Sequence, residues 1–221
     1  MVEPVQGEAG VIVPPDGYMK EVQKLCNKHN VLLIADEVQT GIGRTGYELA
    51  IQHDDCQPDM VILGKALSGG VMPVSAVLAN DDIMLQIQPG EHGSTYGGNP
   101  LACKVAMAAL QVMQDEKLCE NAVERGHQLR DGLKKLMEAA WCPIREVRGR
   151  GLFNALVIDE PKSGYGYDDG KTWDLCLALM RNGLLAKSTH GNIIRLSPPL
   201  TITEQEIDEC LGIIEKSLRE I

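Results

Sequence analysis

The sequence predicts an α/β fold in which helices cover a mostly parallel sheet and a smaller α+β domain follows. Three observations lead to this prediction: short apolar runs without alternation, glycine-rich turns directly after them, and helical periodicity between them. A short apolar run that ends in a turn is typical of a strand buried on both faces, and strands that alternate with helices form parallel sheets. We place the larger domain at residues 1–114 and the smaller one at 115–221.

The first domain begins with the end of a strand and a loop in residues 1–15. Asp16 is expected to cap a helix that continues to about Asn30, where apolar residues recur at helical spacing. Three apolar runs predict strands, at residues 31–35, 60–63 and 73–79. Asn99 and Pro100 are a typical N-cap and first helical residue, so a helix is expected next. Five residues form its expected apolar face: Leu101, Val105, Ala108, Ala109 and Val112.

The second domain combines helices with short strands. We predict helices at residues 118–138 and 172–182, and strands near 144–148, 152–158, 184–187 and 193–196. Thr203 and Glu206 have the spacing of a capping box, which marks the start of a last helix. This order is typical of antiparallel strands with helices on one side.

The composition excludes several classes of protein. The 221 residues are 44% hydrophobic and carry a net charge of −10 without a basic cluster, so nucleic acid and anionic membranes are not expected partners. The apolar runs are far too short to span a bilayer, and the N-terminus resembles neither a signal nor a transit peptide. Seven scattered cysteines without C-x-x-C predict free thiols rather than a disulfide framework, and we expect no metal site.

One lysine follows the most apolar of the predicted strands. Lys65 comes after residues 60–63 and Gly64, at the strand end where open α/β sheets bind ligands. Partial desolvation there would make the neutral amine more accessible, which suits a Schiff base to a carbonyl. The alternative is a lysine that leaves the sheet and extends to solvent.

Two further features complement this lysine. Asp36 ends the apolar run 31–35, and a buried carboxylate there needs a partner, either a cationic ligand nitrogen, a helix N-terminus or an arginine. Ser94 and Thr95 lie in a glycine-rich loop before a helix, where hydroxyls and amides suit a phosphate, although a plain glycine turn has the same composition. One cofactor offers an aldehyde, a protonated ring nitrogen and a phosphate together, and that cofactor is pyridoxal 5′-phosphate.

Three segments make the resemblance to a known family specific: LLIADEVQTGIGRTG, LGKALSGG and HGSTYGGNPLAC. In this order they resemble the class III, fold type I aminotransferases, and VEPVQGEAG and NGLLAKSTHGNIIRLSPPL are most similar to the ornithine aminotransferase branch. The resemblance covers essentially the whole chain. It implies ping-pong transfer of the terminal amine of L-ornithine to a 2-oxo acid, which yields glutamate 5-semialdehyde and an L-amino acid. The alternatives are an acetylornithine or related ω-aminotransferase, and a non-catalytic fragment that only associates with partner subunits.

The resemblance also implies a role for each residue of the cofactor site. Lys65 resembles the Schiff-base lysine that moves the substrate proton, and Asp36 resembles the partner of the pyridine nitrogen. Val38 resembles the apolar residue on one ring face, and Gln39 the residue that hydrogen-bonds the 3-hydroxyl oxygen. The segment Ser94–Thr95 is similar to the one that reaches the phosphate across a dimer interface.

Glu8 and Arg195 resemble a specificity switch. In the family, the glutamate covers the arginine while ornithine donates its terminal amine, and the arginine is then released to hold a carboxylate of 2-oxoglutarate or glutamate. Masking makes physical sense, because an uncovered arginine would bind the α-carboxylate of any amino acid bidentately. Without the resemblance, the same two residues predict an ordinary structural ion pair.

The chain departs from the family in length. Family members are about twice as long, and the absent N-terminal half would carry the main phosphate turn, the aromatic residue on the other ring face and further substrate contacts. We therefore expect the isolated chain to be weakly active or inactive. The resemblance implies a homodimer or higher homo-oligomer in the mitochondrial matrix, with the cytoplasm as the alternative. The segment 159–170 is also longer than the family pattern.

Overall fold

The computed structural model describes residues 1–159 and 170–221, and its secondary structure follows the predicted order of elements. Two compact units are present. The first comprises residues 1–4, 14–43 and 47–117, and the second comprises 5–13, 44–46 and 118–221. The second unit thus includes two short segments that precede the predicted domain boundary. The prediction about the segment 159–170 lies outside the described residues apart from its two ends.

The sheet of the first unit contains three strands in the order β1 (Ile34–Asp36), β2 (Met60–Leu63) and β3 (Ala76–Ala79). β1 and β2 are parallel, whereas β2 and β3 are antiparallel, so this sheet is mixed rather than mostly parallel. The connection between β2 and β3 holds only one short 3₁₀ helix, and a parallel pair would need a longer crossover. β2 buries Val61 and Leu63 but leaves Met60 and Ile62 half-buried, so only one face is covered as predicted.

The first helix is α1 (Tyr18–Lys28), and the prediction that Asp16 caps it is wrong. Instead, the Asp54 carboxylate accepts hydrogen bonds from the backbone amides of Gly17 and Met19, both at 2.9 Å. Asp54 ends the 3₁₀ helix Ala50–Asp54 and offers both oxygens to the first turn of α1. A cap from a distant part of the chain leaves no local sequence signal, which is why the prediction failed.

The short helix α2 (Asp81–Met84) precedes the glycine-rich loop, which leads to α3 (Pro100–Asp115). Asn99 accepts a hydrogen bond from the Ala102 amide at 2.9 Å, so the predicted cap is confirmed. The predicted apolar face is not the buried face of α3, because the helix buries a stripe of mostly small residues and leaves Leu101 63% exposed. That stripe consists of Ala102, Ala106 and Met113. Small side chains allow α3 to lie close to the 3₁₀ helix Lys65–Ser68.

The second unit contains a four-stranded sheet in the order β4-β5-β7-β6, and its strands are antiparallel, as the sequence predicts. Its strands are β4 (Ile144–Arg150), β5 (Phe153–Ile158), β6 (Lys187–Thr189) and β7 (Ile193–Leu196). Its helices are α4 (Leu118–Met137), α5 (Gly170–Arg181) and α6 (Glu204–Leu218). The predicted capping box of α6 is present, whereas β6 begins three residues later than predicted.

Both faces of this sheet are covered. Leu156 and Ile158 of β5 belong to a core that also takes in the three helices, whereas Phe153 and Val157 pack with Val5 and other residues of the segment 5–13. Successive side chains of a strand point to opposite faces, so β5 joins two cores. No helix within the described ranges is long and apolar enough to cross a membrane.

Candidate active site

Lys65 stands where β2 ends and the 3₁₀ helix Lys65–Ser68 begins. Its φ angle is +43°, in the left-handed region that residues other than glycine rarely adopt. Such backbone conformations cluster at functional sites, where the surrounding structure holds them in place. The side chain is exposed, so the predicted desolvation of this lysine is not found in the described chain.

A cavity of about 510 Å³ opens beside Lys65, within the range of small-molecule sites. The loop before β3 contributes Ser75, and the loop before α3 contributes Tyr96 and Asn99. Sequence reasoning missed these three residues. The available signal for Tyr96 was its position between Thr95 and the predicted helix cap, Asn99, whereas Ser75 lay in the predicted strand 73–79 and carried no such signal.

Asp36 and Val38 lie at the same edge of the sheet as Lys65. Asp36 ends β1 and pairs in register with Ile62, and the carboxyl ends of parallel strands meet at one edge. Its Oδ1 accepts a hydrogen bond from the Val38 amide at 3.1 Å. A Cβ atom on Gly64 would lie 3.6 Å from Val38 Cγ1, so Val38 packs against the residue that precedes Lys65. Gln39 follows in the same loop and is half-buried.

The neighbouring carboxylate, Glu37, was not predicted. It is 1% exposed, its Oε1 accepts a hydrogen bond from the Ile51 amide at 2.8 Å, and its Oε2 accepts one from the Thr40 hydroxyl. Burial raises the pKa of Glu37, against the opposing effect of the hydrogen bonds from Thr40 and the backbone. Glu37 thereby fixes the loop that carries Val38 and Gln39. No local signal marked its burial, because that burial depends on the Ile51 amide from a later segment of the chain.

Ser94 and Thr95 lie in an exposed loop. The Ser94 hydroxyl accepts a hydrogen bond from the Gly97 amide at 2.8 Å, which shapes the turn towards α3. Neither residue lines the cavity, whereas their neighbours from Tyr96 to Asn99 do. The loop thus brings the start of α3, rather than Ser94 and Thr95, to Lys65.

In the second unit, the structure brings Glu8 and Arg195 together. Arg195 lies on β7, and its Nη1 is 3.1 Å from Glu8 Oε2 and 3.4 Å from the Gly7 carbonyl oxygen. The Arg195 side chain is 25% exposed and that of Glu8 is 73% exposed. An ion pair with one exposed partner is weakly stabilising, so the carboxylate separates from the arginine at small cost.

The side chains at this edge of the first unit fit pyridoxal phosphate as a ligand. Lys65 supplies an amine, Asp36 a half-buried carboxylate and Val38 an apolar surface beside it. The N-terminus of the sixteen-residue helix α3 borders the same cavity, and such a terminus favours an anion. The chemistry of this set therefore matches an aldehyde, a ring nitrogen and a phosphate.

The fold and this set of side chains are those that the resemblance to fold type I pyridoxal-phosphate-dependent transferases implies. Residues 1–218 match the model of the class-III aminotransferase family, and the chain belongs to that family. A solved structure described as acetylornithine aminotransferase from Elizabethkingia anophelis superposes with a TM-score of 0.94 at 60% identity, over 100% of this chain and 56% of that one. The predicted family and fold class are thus confirmed.

Relatives named ornithine aminotransferase are also similar over nearly the whole chain. The mitochondrial protein of Drosophila melanogaster is 58% identical over 99% of this chain and 48% of its own length. The Toxoplasma gondii ornithine aminotransferase superposes with a TM-score of 0.92 at 47% identity, over 100% of this chain and 50% of that one. That structure is described as having partial occupancy of PLP at its active site. The chain spans about half the length of the curated relatives it matches.

Proposed function

We propose that this chain is the C-terminal part of an ornithine δ-aminotransferase. The complete enzyme would transfer the terminal amine of L-ornithine to a 2-oxo acid, and would release glutamate 5-semialdehyde and an L-amino acid. The observation that carries the proposal is the pair of Glu8 and Arg195 at 3.1 Å, in a chain that is 58% identical to the Drosophila relative.

The pair explains how one site accepts two kinds of substrate. When Glu8 covers Arg195, the guanidinium does not bind the α-carboxylate of ornithine, and the terminal amine is free to react. When the Glu8 side chain turns away, Arg195 binds a carboxylate of 2-oxoglutarate or glutamate through two parallel hydrogen bonds. The exposure of Glu8 supports such a rotation.

We assign the residues of the first unit to cofactor binding and to transfer of the substrate proton. Bound pyridoxal phosphate supplies an electron sink for the substrate carbon that loses its proton. Lys65 would hold the cofactor and move that proton, and Asp36 would keep the ring nitrogen protonated. Val38 would supply an apolar surface for the ring, and Gln39 would donate a hydrogen bond to the hydroxyl oxygen. We assign Ser94–Thr95 to the phosphate of a partner subunit, in accord with their exposure.

A second candidate substrate is N-acetylornithine. The Elizabethkingia structure, described as acetylornithine aminotransferase, shares 60% identity with this chain. The two donors differ at the α-amine, which carries an acetyl group in N-acetylornithine. Comparing them as donors separates the two functions.

We further propose that the complete enzyme is a homodimer or higher oligomer in the mitochondrial matrix, with the cytoplasm as the alternative. Relatives named mitochondrial support the first location. We infer that the isolated chain has little activity and at most associates with partner subunits, since it spans 48% of the length of the Drosophila relative. Glutamate formation at the rate of a full-length relative by the purified chain would contradict this inference.

To test the substrate specificity, this chain is joined to the N-terminal half of the Drosophila relative. We expect the joined enzyme to use ornithine in preference to N-acetylornithine. Glu8→Ala should increase the glutamate half-reaction relative to the ornithine half-reaction, because Arg195 is then permanently uncovered. Stopped-flow absorbance measures both half-reactions, and Glu3→Ala, outside the pair, is the control. An unchanged ratio in Glu8→Ala would refute the switch.

The assignment of Lys65 is tested on the chain itself. Pyridoxal phosphate is added, the adduct is reduced with borohydride, and the labelled lysine is located by peptide mass spectrometry. We expect the label at Lys65 and its loss in Lys65→Ala, whereas Lys104→Ala, an exposed residue of α3, should leave it unchanged. Equal labelling of many lysines would count against a built site.

A further inference from the structure

Glu8 lies in a short loop whose backbone is held by hydrogen bonds between its own residues. Gln6 and Ile12 pair through two hydrogen bonds of 3.0 and 2.9 Å, and the amides of Gly10 and Val11 both donate to the Gly7 carbonyl oxygen. A Cβ atom on Gly10 would lie 2.6 Å from Ile193 Cδ1, so the loop packs directly against β7. The loop backbone therefore has little room to move on that side.

Two side chains from other elements also hold this loop. Arg148 of β4 donates from Nε and Nη2 to the Gly10 carbonyl oxygen, at 3.1 and 2.9 Å. His190 Nε2 donates to the Glu8 carbonyl oxygen at 2.9 Å, from the turn between β6 and β7. The Arg148 side chain is 22% exposed, and its Nη1 is 2.9 Å from Glu146 Oε2. Both ends of the segment Glu8–Gly10 are thus fixed to the sheet.

The backbone conformation of His190 also helps to place its side chain against the loop. Its φ angle is +51°, in the left-handed region, which is strained for a residue with a side chain. The turn nevertheless places the imidazole on the Glu8 backbone, on the same sheet that carries Arg195. The loop is held through its backbone, whereas the Glu8 side chain remains 73% exposed.

We propose that Arg148 and His190 are positioning residues that hold the Glu8 loop, so that Glu8 covers and uncovers Arg195 by side-chain rotation alone. This inference rests on the proposed function, in which Glu8 masks Arg195. Neither residue is assigned to the substrate or the cofactor. Their effect is to keep the carboxylate within reach of the guanidinium, which raises the fraction of time that Arg195 is covered.

The test measures how accessible Arg195 is in the 221-residue chain. Phenylglyoxal modifies uncovered guanidinium groups, and peptide mass spectrometry gives the rate at Arg195. We expect Glu8→Ala, His190→Met and Arg148→Met each to increase that rate by about two- to tenfold, the range expected from the loss of one hydrogen bond. His190→Gln should restore a rate near wild type, because the glutamine amide nitrogen occupies the place of Nε2.

The matched controls are His127→Met and Arg145→Met, which change exposed residues of the same unit. We expect wild-type rates from both. Hydrogen exchange of the amides in residues 6–12 provides a second readout. It should accelerate in His190→Met and Arg148→Met but not in Glu8→Ala, since only the first two release the loop.

The outcomes separate this inference from the proposed function. If His190→Met and Arg148→Met leave both readouts at wild-type values while Glu8→Ala uncovers Arg195, the positioning role is refuted and the masking stands. If Glu8→Ala leaves the Arg195 rate unchanged, the masking itself is refuted and the positioning role with it. The readouts do not involve transamination, so weak activity of the isolated chain does not affect them.

Discussion

The two units of this chain differ in how completely they bury their apolar residues. In the second unit, helices cover one face of the sheet and the segment 5–13 packs on the other. In the first unit, large apolar side chains remain at least half exposed on β3 and on α3. These include Val77, Leu78 and Leu101, at 51%, 50% and 63%.

The two units also contain different parts of the proposed chemistry. The pair Glu8–Arg195, proposed to set specificity, is formed inside the unit with the complete core. Lys65 and Asp36, proposed to hold the cofactor, belong to the unit with exposed apolar faces. Exposed apolar surface of this kind marks a place where further polypeptide packs. We therefore expect the specificity pair to form in the isolated chain, and cofactor affinity to depend on additional surface.

The largest expected effect follows from truncating a buried side chain in the core of the second unit. Leu156 is fully buried between β5 and the helices, so Leu156→Ala should lower the free energy of unfolding by about 3–5 kcal/mol. Urea titration followed by tryptophan fluorescence measures this, because both tryptophans, Trp141 and Trp173, lie in the second unit.

The matched variant in the first unit is Leu101→Ala. Leu101 is 63% exposed, and we expect a change within about 0.5 kcal/mol. The same titration, followed by the amide NMR signals of the first unit, measures it. Equal losses for the two leucines would show that α3 is covered in solution and would remove the contrast between the units.

A second comparison lies within the second unit, between two helical glycines. A Cβ atom on Gly126 of α4 would lie 2.0 Å from the Gly151 carbonyl oxygen, whereas one on Gly212 of α6 meets no atom within 4 Å. Gly126→Ala should therefore destabilise by about 1–3 kcal/mol through overpacking. Gly212→Ala should stabilise by about 0.5–1 kcal/mol, since alanine is the better helix former.

Tryptophan fluorescence in urea measures both glycine variants. Opposite signs are the expected result, because backbone contact at Gly126 outweighs the helix preference of alanine. A stabilising Gly126→Ala would mean that α4 shifts away from residue 151 without loss, and that the second core is less tightly packed than its burial indicates.

Local signals in the sequence predicted most elements of both units. The apolar run at Met60–Leu63, the cap at Asn99 and the capping box at Thr203 each depend on neighbouring residues, and each is found in the structure. Non-local features were missed. Asp54 caps a helix 35 residues away, and the antiparallel partner of β2 turned the expected parallel sheet into a mixed one.

The same distinction applies to the site. The positions of Lys65 and Asp36 at strand ends were predictable, because strand ends are marked by local turn signals. The burial of Glu37 was not, because it depends on the amide of Ile51 reaching the carboxylate. The approach of Glu8 to Arg195 spans 187 residues and was implied only by the family resemblance. Their roles in catalysis stay predictions.

The smallest expected effect concerns Glu37, and it tests whether the first unit is held by polar contacts where apolar burial is incomplete. Burial raises the pKa of Glu37 above its ordinary value, so the folded chain holds this proton more strongly than the unfolded chain does. Its contribution to stability is complete below the unfolded pKa and is lost as the pH rises through the raised folded pKa. Wild type should therefore lose stability over that window, and Glu37→Gln should not.

Urea titrations between about pH 4 and 8, followed by the amide NMR signal of Ile51, measure this difference in the first unit. Glutamine keeps an acceptor for Ile51 and a donor for Thr40, so the variant removes the titration while it retains the contacts. Glu48→Gln, at an exposed position of the same unit, should keep the wild-type pH dependence. An identical slope in wild type and Glu37→Gln would mean that the loop with Val38 and Gln39 opens before the unit unfolds. The first unit would then lack a cooperative core around its proposed cofactor residues, and its contrast with the second unit would be greater than burial alone shows.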